Sequence, residues 1–277
     1  MKLREFFAKL FGRKKKKLGL ALGCGGAKGL ALIGVIKAFE EENIKFDVVA
    51  GSSIGSVVGG MYASGISAGE MLDYLKEYNL SDPKSLIMLK LKGYTVEKLL
   101  SHITGGRHFD ELSIPYSAVA ADINTGEEVD ITDGLVARAM CASSAIPPVF
   151  SPVVIGGRSL VDGGYVNAVP ASVCRKLGAD VVIGVNLCSE DYNSAAKAAL
   201  DKGYKQNGII LMDRVKSGRE NSDFFLEPDL SGYTGFSISA FDPMYVIGYR
   251  SAKAKMPEII NMLVKNKVIK KRGKKQK

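Results

Sequence analysis

Asp47-Val48-Val49-Ala50-Gly51-Ser52-Ser53-Ile54-Gly55 runs from a short apolar segment straight into a glycine-flanked serine. The stretch has no charged residue from Val48 to Gly69, 22 positions, which is long enough to cross a bilayer. It is rich in Gly and Ser, though, and Gly-Ser-Ser-Ile-Gly-Ser would be an odd surface to turn toward lipid. A buried strand over Asp47–Ala50, a turn at Gly51, and a buried helix over Ser53–Ser64 account for it better. Reading toward the N-terminus, Leu18–Leu22 is a short apolar run that predicts a first strand. A glycine-rich turn follows at 23–26, and Ala27–Glu42 has helical periodicity. Strand, helix, strand, helix in that order predicts a parallel unit with a right-handed crossover, hence an α/β fold. Toward the C-terminus, residues 67–110 are helical in pattern, with breaks at Pro83 and Gly93 and an apolar middle that suits a cap over a lipid pocket or an ordinary packed helix. Strand pairs are predicted on either side of Asn124-Thr125-Gly126 and of Gly156-Gly157. Helices are predicted at 134–143, 171–177, 191–216 and 243–264, and a core strand at Val181–Val185.

Gly51-Ser52-Ser53-Ile54-Gly55 is a G-x-S-x-G sequence between a strand and a helix, the setting in which that pattern places a nucleophile. The tight turn tolerates little bulk at Gly51 and Gly55, and the helix start favours negative charge developing on the serine oxygen. Ser52 and Ser56 are local alternatives, but only Ser53 is central. A serine needs a base. The chain has two histidines, His102 and His108, and neither follows the serine late enough for the usual Ser–acid–His order. His108 in another order remains open. Asp162, in Val161-Asp162-Gly163-Gly164 just after a predicted strand, is the better candidate. A carboxylate with its ordinary pKa near ~4 is a weak base, and partial burial would strengthen it. A plain Asp-Gly turn is the competing reading. Backbone amides of Gly23-Cys24-Gly25-Gly26-Ala27-Lys28-Gly29, which joins the first strand to the first helix, are placed to stabilise an oxyanion. That loop is no P-loop, because no Ser or Thr follows Lys28. It is a poor dinucleotide turn, because the second strand ends in Ser53 rather than in an acid for the ribose.

The chain has 277 residues, 46% of them hydrophobic, and a formal charge of +9. Residues 1–17 carry eight basic residues and one acid, and residues 265–277 carry eight basic residues and none, so the part between is mildly acidic. Basic tails on an acidic body suit an anionic membrane surface better than nucleic acid, whose readers carry the charge on folded elements. Leu3, Phe6, Phe7, Leu10 and Phe11 share one helical face ahead of the basic run Arg13–Lys17, a pattern of interfacial anchors. No apolar signal core follows, which makes the cytoplasmic side of a membrane the expected location. Cys24, Cys141, Cys174 and Cys188 form no C-x-x-C pair and lie apart from the histidines, so reduced thiols and no metal site are expected. The predicted division is a basic amphipathic segment at 1–17, one domain at 18–264, and a basic tail at 265–277.

Taken together, these residues resemble the patatin-like phospholipases, a family of lipid acyl hydrolases. The resemblance covers about Leu18–Leu187. It rests on four ordered segments: the loop at 23–29, Gly51–Gly55, Ala142-Ser143-Ser144-Ala145-Ile146-Pro147, and Asp162-Gly163-Gly164 with Asn167 and Pro170. It implies a three-layer α/β/α fold around a mainly parallel sheet. It also implies hydrolysis of ester-linked fatty acids from phospholipid or other acyl lipids, with Ser53 as nucleophile, Asp162 as proton acceptor, and amides near Gly25 and Gly26 as the oxyanion hole. Gly23, Lys28, Gly29, Gly51, Gly55, Gly163 and Gly164 are the supporting motif positions, and no metal or cofactor is implied. Cys24 stands where the family loop often has glycine, and so does Pro148 in the loop after Pro147. The alternative is a catalytically silent, membrane-associated scaffold of the same fold.

Overall fold

Leu18, Leu20 and Leu22 face one way along the first strand, and Gly19 and Ala21 the other. Both faces are buried. The same alternation recurs in the neighbouring strands, which is the mark of a sheet covered on both sides. The computed structural model describes residues 16–78, 95–188, 211–235, 237 and 241–270. Among these the strands are β1 (Leu18–Leu22), β2 (Val48–Ser52), β3 (Tyr116–Asp122), β4 (Glu128–Ile131), β5 (Val153–Ile155), β6 (Arg158–Asp162), β7 (Val181–Val185) and β8 (Phe224–Leu226). The helices are α1 (Leu30–Glu41), α2 (Ile54–Ala63), α3 (Ala68–Glu77), α4 (Val96–Ile103), α5 (Val136–Ser143), α6 (Ala171–Lys176), α7 (Leu211–Glu220) and α8 (Phe241–Lys265).

The eight strands form one mixed sheet in the order β5-β6-β3-β2-β1-β7-β8, with β4 paired to β3. β3, β2, β1, β7 and β8 are parallel neighbours, while β4 and β6 run antiparallel to β3. The larger apolar core lies on one face, where Leu20, Val49, Ala118 and Ile183 meet α1, α2, α5 and α8. The opposite face is thinner. There Ala21, Ala50 and Val182 meet Val173 and Cys174 of α6. Small residues let α6 approach: a Cβ at Gly19 would stand 3.1 Å from Cys174 Cβ. This is the expected three-layer arrangement.

One detail of register decides where the chemistry sits. β4 occupies one edge of β3, opposite Ala118–Ala121. On the other edge β2 pairs as far as Ser52↔Val119, and β6 takes over at Asp162↔Ala120. β2 runs parallel to β3 and β6 antiparallel, so their C-terminal ends meet head to head beside adjacent residues of β3. Positions 52 and 162 are thereby brought together across more than a hundred residues of chain.

Several expectations need adjustment. The first helix begins with a 3-10 turn at Gly26–Gly29 before α1. β8 has no counterpart in the sequence reading. Residues 67–110 contain α3 and α4, and the segment between them, 79–94, lies outside the described residues, as do 1–15, the first part of the predicted helix at 191–216, and 271–277. No helix among the described residues is long and apolar enough to cross a membrane. The charge-free stretch after Val48 is β2 and α2, as its composition indicates.

Candidate active site

β2 ends at Ser52 and α2 begins at Ile54, which leaves Ser53 alone to make the turn. Its backbone has φ 54° and ψ −127°, a conformation that costs a side-chain-bearing residue free energy and that surrounding contacts must hold. The flanking glycines permit those contacts. A Cβ at Gly51 would lie 2.2 Å from the Gly55 carbonyl oxygen, and one at Gly55 would lie 2.1 Å from the Leu22 carbonyl oxygen. The G-x-S-x-G spacing is therefore a packing requirement at the ends of β1 and β2.

The strained turn is pinned by Ser143, the last residue of α5. Its buried hydroxyl accepts the Ser53 backbone N–H at 3.0 Å and donates to the Val119 carbonyl at 2.5 Å. The neighbouring serines are occupied: the Ser52 hydroxyl donates to the Asn167 carbonyl at 2.5 Å, and the Ser56 hydroxyl donates to the Ser53 carbonyl at 2.7 Å. Tyr116 of β3 donates to the Ser56 carbonyl at 2.7 Å and ties α2 to the sheet.

The Ser53 hydroxyl donates to Asp162 Oδ2 at 2.5 Å. Asp162 closes β6, its N–H donates to the Ala145 carbonyl at 2.9 Å, and its Oδ1 accepts the Gly164 N–H at 2.8 Å. A Cβ at Gly163 would lie 2.0 Å from the Val119 carbonyl oxygen, so the turn after Asp162 needs glycine to lie against β3. Asp162 is 2% exposed. Burial raises its pKa to about 6 even though the Ser53 and Gly164 hydrogen bonds oppose the rise. A carboxylate poised there is a far better proton acceptor at neutral pH than an ordinary aspartate. Neither histidine is a hydrogen-bond partner of Ser53. His102 packs edge-on against Tyr78, and His108 precedes the 3-10 turn Phe109–Glu111.

The glycine-rich loop after β1 packs directly on this pair. A Cβ at Gly29 would lie 2.0 Å from Ile54 Cγ1, and one at Gly164 would lie 3.0 Å from Cys24 Sγ. Four amides of the loop are engaged: Gly23 donates to Val185, Cys24 to Ala168, Ala27 to Gly235 and Lys28 to Gly25. The Gly25 and Gly26 amides donate to no other group among the described residues. Gly26 has φ 57°, and a Cβ there would lie 2.6 Å from the Gly235 carbonyl oxygen. Lys28 is buried in the 3-10 turn.

Beside Ile54 and the loop lies an apolar cavity of about 290 Å³. Its walls come from α1 (Leu30, Ile33), α2 (Val57, Val58, Met61), α3 (Met71, Tyr74, Leu75) and α4 (Leu99, Leu100, Ile103). The helices flanking residues 79–94 thus form part of the pocket. The sequence reading located the serine, the aspartate and the loop, and the structure brings all three together. Ser143 and Asn167 it met only as letters of a resemblance. Their work is to satisfy backbone groups, and a side chain that does so leaves no periodic or chemical signature.

The model of the patatin-like phospholipases matches residues 20–175. An uncharacterized NTE family protein of Mycobacterium tuberculosis is 35% identical over 193 residues, which is 68% of this chain and 53% of that protein. Human patatin-like phospholipase domain-containing protein 6 is 30% identical over 307 residues, 91% of this chain and 22% of that protein. The chain thus spans from about a fifth to about half the length of these relatives. Among solved structures, VipD from Legionella pneumophila has a TM-score of 0.52 at 13% identity, covering 90% of this chain and 67% of that one. Human GIVD cytosolic phospholipase A2 has a TM-score of 0.51 at 12% identity, covering 92% and 60%. At such identities these structures speak for the fold alone. With a family match over more than half its residues, spanning the glycine-rich loop, the Ser53 turn and the Asp162 turn, the chain belongs to the patatin-like phospholipase family.

Proposed function

We propose that this chain is a lipid acyl hydrolase that cleaves ester-linked fatty acids through a Ser53–Asp162 dyad. The observation that carries the reading is the 2.5 Å hydrogen bond from the Ser53 hydroxyl to Asp162 Oδ2, inside a site where burial raises the carboxyl pKa to about 6. As the Ser53 oxygen attacks the ester carbonyl, its proton passes to Asp162 Oδ2. The Gly25 and Gly26 amides take the charge that develops on the carbonyl oxygen, a contribution of about 3–4 kcal/mol per donor in comparable sites. Asp162 then returns the proton to the departing alcohol, leaving an acyl-enzyme. Water gives a proton to Asp162 as its oxygen attacks the acyl carbon, the bond to the Ser53 oxygen breaks, that oxygen takes the proton back from Asp162, and the fatty acid is released. The apolar cavity beside Ile54 accepts the acyl chain.

The substrate is an acyl-ester lipid, with phospholipid the first choice. We place the protein at the cytoplasmic face of a membrane, held peripherally. The two basic tails support this, as do Val149 and Phe150, which are 70% and 48% exposed in the loop leading from Ala145 to β5. The domain at 18–264 carries the chemistry, and specific nucleic-acid binding is not part of the proposal. The test is hydrolysis of a short acyl ester and of a phospholipid by wild type, Ser53→Ala and Asp162→Asn. Loss of at least a thousandfold in both variants is the expected result. Full activity in either variant removes that residue from the mechanism.

A further inference from the structure

Cys24 departs from the glycine often found at its place in the loop, and nothing in the proposed chemistry uses it. Its sulfur lies 3.2 Å from that of Cys188, which follows β7. Cys188 is fixed by Asn186, whose Oδ1 accepts the Cys188 N–H at 3.0 Å and whose Nδ2 donates to the Cys188 carbonyl at 3.2 Å. On the other side, the Cys24 N–H donates to the Ala168 carbonyl at 2.9 Å, and Leu187 packs on Gly25 so closely that a Cβ there would stand 2.9 Å from Leu187 Cβ. The two thiols are 164 residues apart in sequence and are held facing each other by separate elements.

We propose that Cys24 and Cys188 form an oxidation site, and that a disulfide between them reversibly disables the loop beside Ser53. A disulfide requires the sulfurs to close to about 2.05 Å, so one or both must move by about an ångström. Cys24 cannot move alone. Gly25 and Gly26 follow it directly in the chain, and its side chain packs on Gly164, whose amide holds Asp162. A displacement of about 1 Å in a catalytic framework costs on the order of a hundredfold in rate. This consequence rests on the reading of the loop amides as oxyanion donors, whereas formation of the disulfide does not.

Cys188 is half-buried and meets the oxidant first, while Cys24 is buried. With hydrogen peroxide, the Cys188 sulfur attacks one peroxide oxygen. The O–O bond breaks, the other oxygen leaves as water, and Cys188 becomes a sulfenic acid. The Cys24 sulfur then attacks the Cys188 sulfur, the S–O bond breaks, and a second water leaves. Two thiols and one peroxide give one disulfide and two waters, with two electrons passing to the peroxide. Cys141 and Cys174 do not compete, because burial pushes both thiols up to about 12 and keeps them protonated at neutral pH.

The experiment treats the full chain with hydrogen peroxide and reads three things: the disulfide by peptide mass mapping without reduction, ester hydrolysis, and both again after dithiothreitol. A Cys24–Cys188 cross-link, an activity loss of about a hundredfold and full recovery on reduction are expected. Cys188→Ser is expected to match the reduced wild type and to show no loss that dithiothreitol reverses. A peroxide-treated protein without this cross-link overturns the site. A cross-linked protein with undiminished hydrolysis overturns its effect. If the reduced chain hydrolyses no ester at all, the proposed function fails, and the cross-link alone still decides whether the oxidation site exists.

Discussion

In the proposed mechanism Asp162 must shed a proton before it can accept one from Ser53, so its environment would set the acid limb of activity. With the carboxyl at about 6, kcat/KM is expected to rise with pH through that value and to fall about tenfold per unit below it. A pH–rate profile with its acid limb near 4 would contradict this. The same shift has a stability sign. Well below about pH 4 the group is protonated in both the folded and the unfolded chain, and its ionisation carries no cost. As pH rises toward 6 the unfolded chain ionises first, so the native state loses up to about 3 kcal/mol, a loss that stays constant above the folded pKa. Asp162→Asn removes that dependence. Urea unfolding of both proteins from pH 4 to 7 is therefore expected to show the variant gaining stability relative to wild type as pH rises. Ser143 offers a second residue-scale test. Ser143→Ala leaves the Ser53 N–H and the Val119 carbonyl buried without their shared partner. An unfolding cost of about 2–6 kcal/mol is expected, because each of the two orphaned groups costs about 1–3 kcal/mol, together with a fall in kcat from a loosened Ser53 turn.

Two strands meeting end to end on β3 create the site, and one helix seals it. α2 can seat only because Gly55 lies against the Leu22 carbonyl. Gly55→Ala is expected to lower stability by about 2 kcal/mol or more and to abolish ester hydrolysis, as measured by thermal unfolding and activity. The helices that wall the cavity make a separate, milder prediction. Leu75→Trp on α3 should fill part of the pocket and lower the kcat/KM ratio of long to short acyl esters by about tenfold, while short esters react as before. An unchanged ratio would place the acyl chain elsewhere. The sequence was most readable at this scale where the physics is local. Leu18–Leu22 and Val181–Val185 announce themselves as apolar runs, and the glycines around Ser53 mark a turn. Phe224–Leu226 does not: three residues with two half-buried aromatics carry no alternation, and only pairing with β7 makes them a strand. The sequence pairs Ser53 with Asp162 on chemistry and resemblance, but the register that ends β2 against β6 on β3, and the meeting of Cys24 with Cys188, were equally invisible, because both depend on sheet order. Sheet order follows from how the layers pack rather than from any one segment's pattern.

The whole molecule has a mildly acidic folded body between two strongly basic ends. If those ends hold it at an anionic surface, flotation with vesicles containing phosphatidylserine should weaken sharply when residues 1–17 are removed, and should fall with added salt. Equal flotation by the truncated protein would reject that role. If the part between the tails carries the chemistry, as proposed, truncation is also expected to leave hydrolysis of a short soluble ester intact. The chain has many other serines and four thiols that could compete for an electrophile, so the most direct test of the dyad surveys all of them at once. The reduced full chain is treated with a lipid-like fluorophosphonate, and every modified peptide is mapped by mass in wild type and in Asp162→Asn. One stoichiometric adduct on Ser53, lost or strongly slowed in Asp162→Asn, is the expected result. An adduct at another residue, or Ser53 labelling at the same rate without the carboxylate, would contradict it.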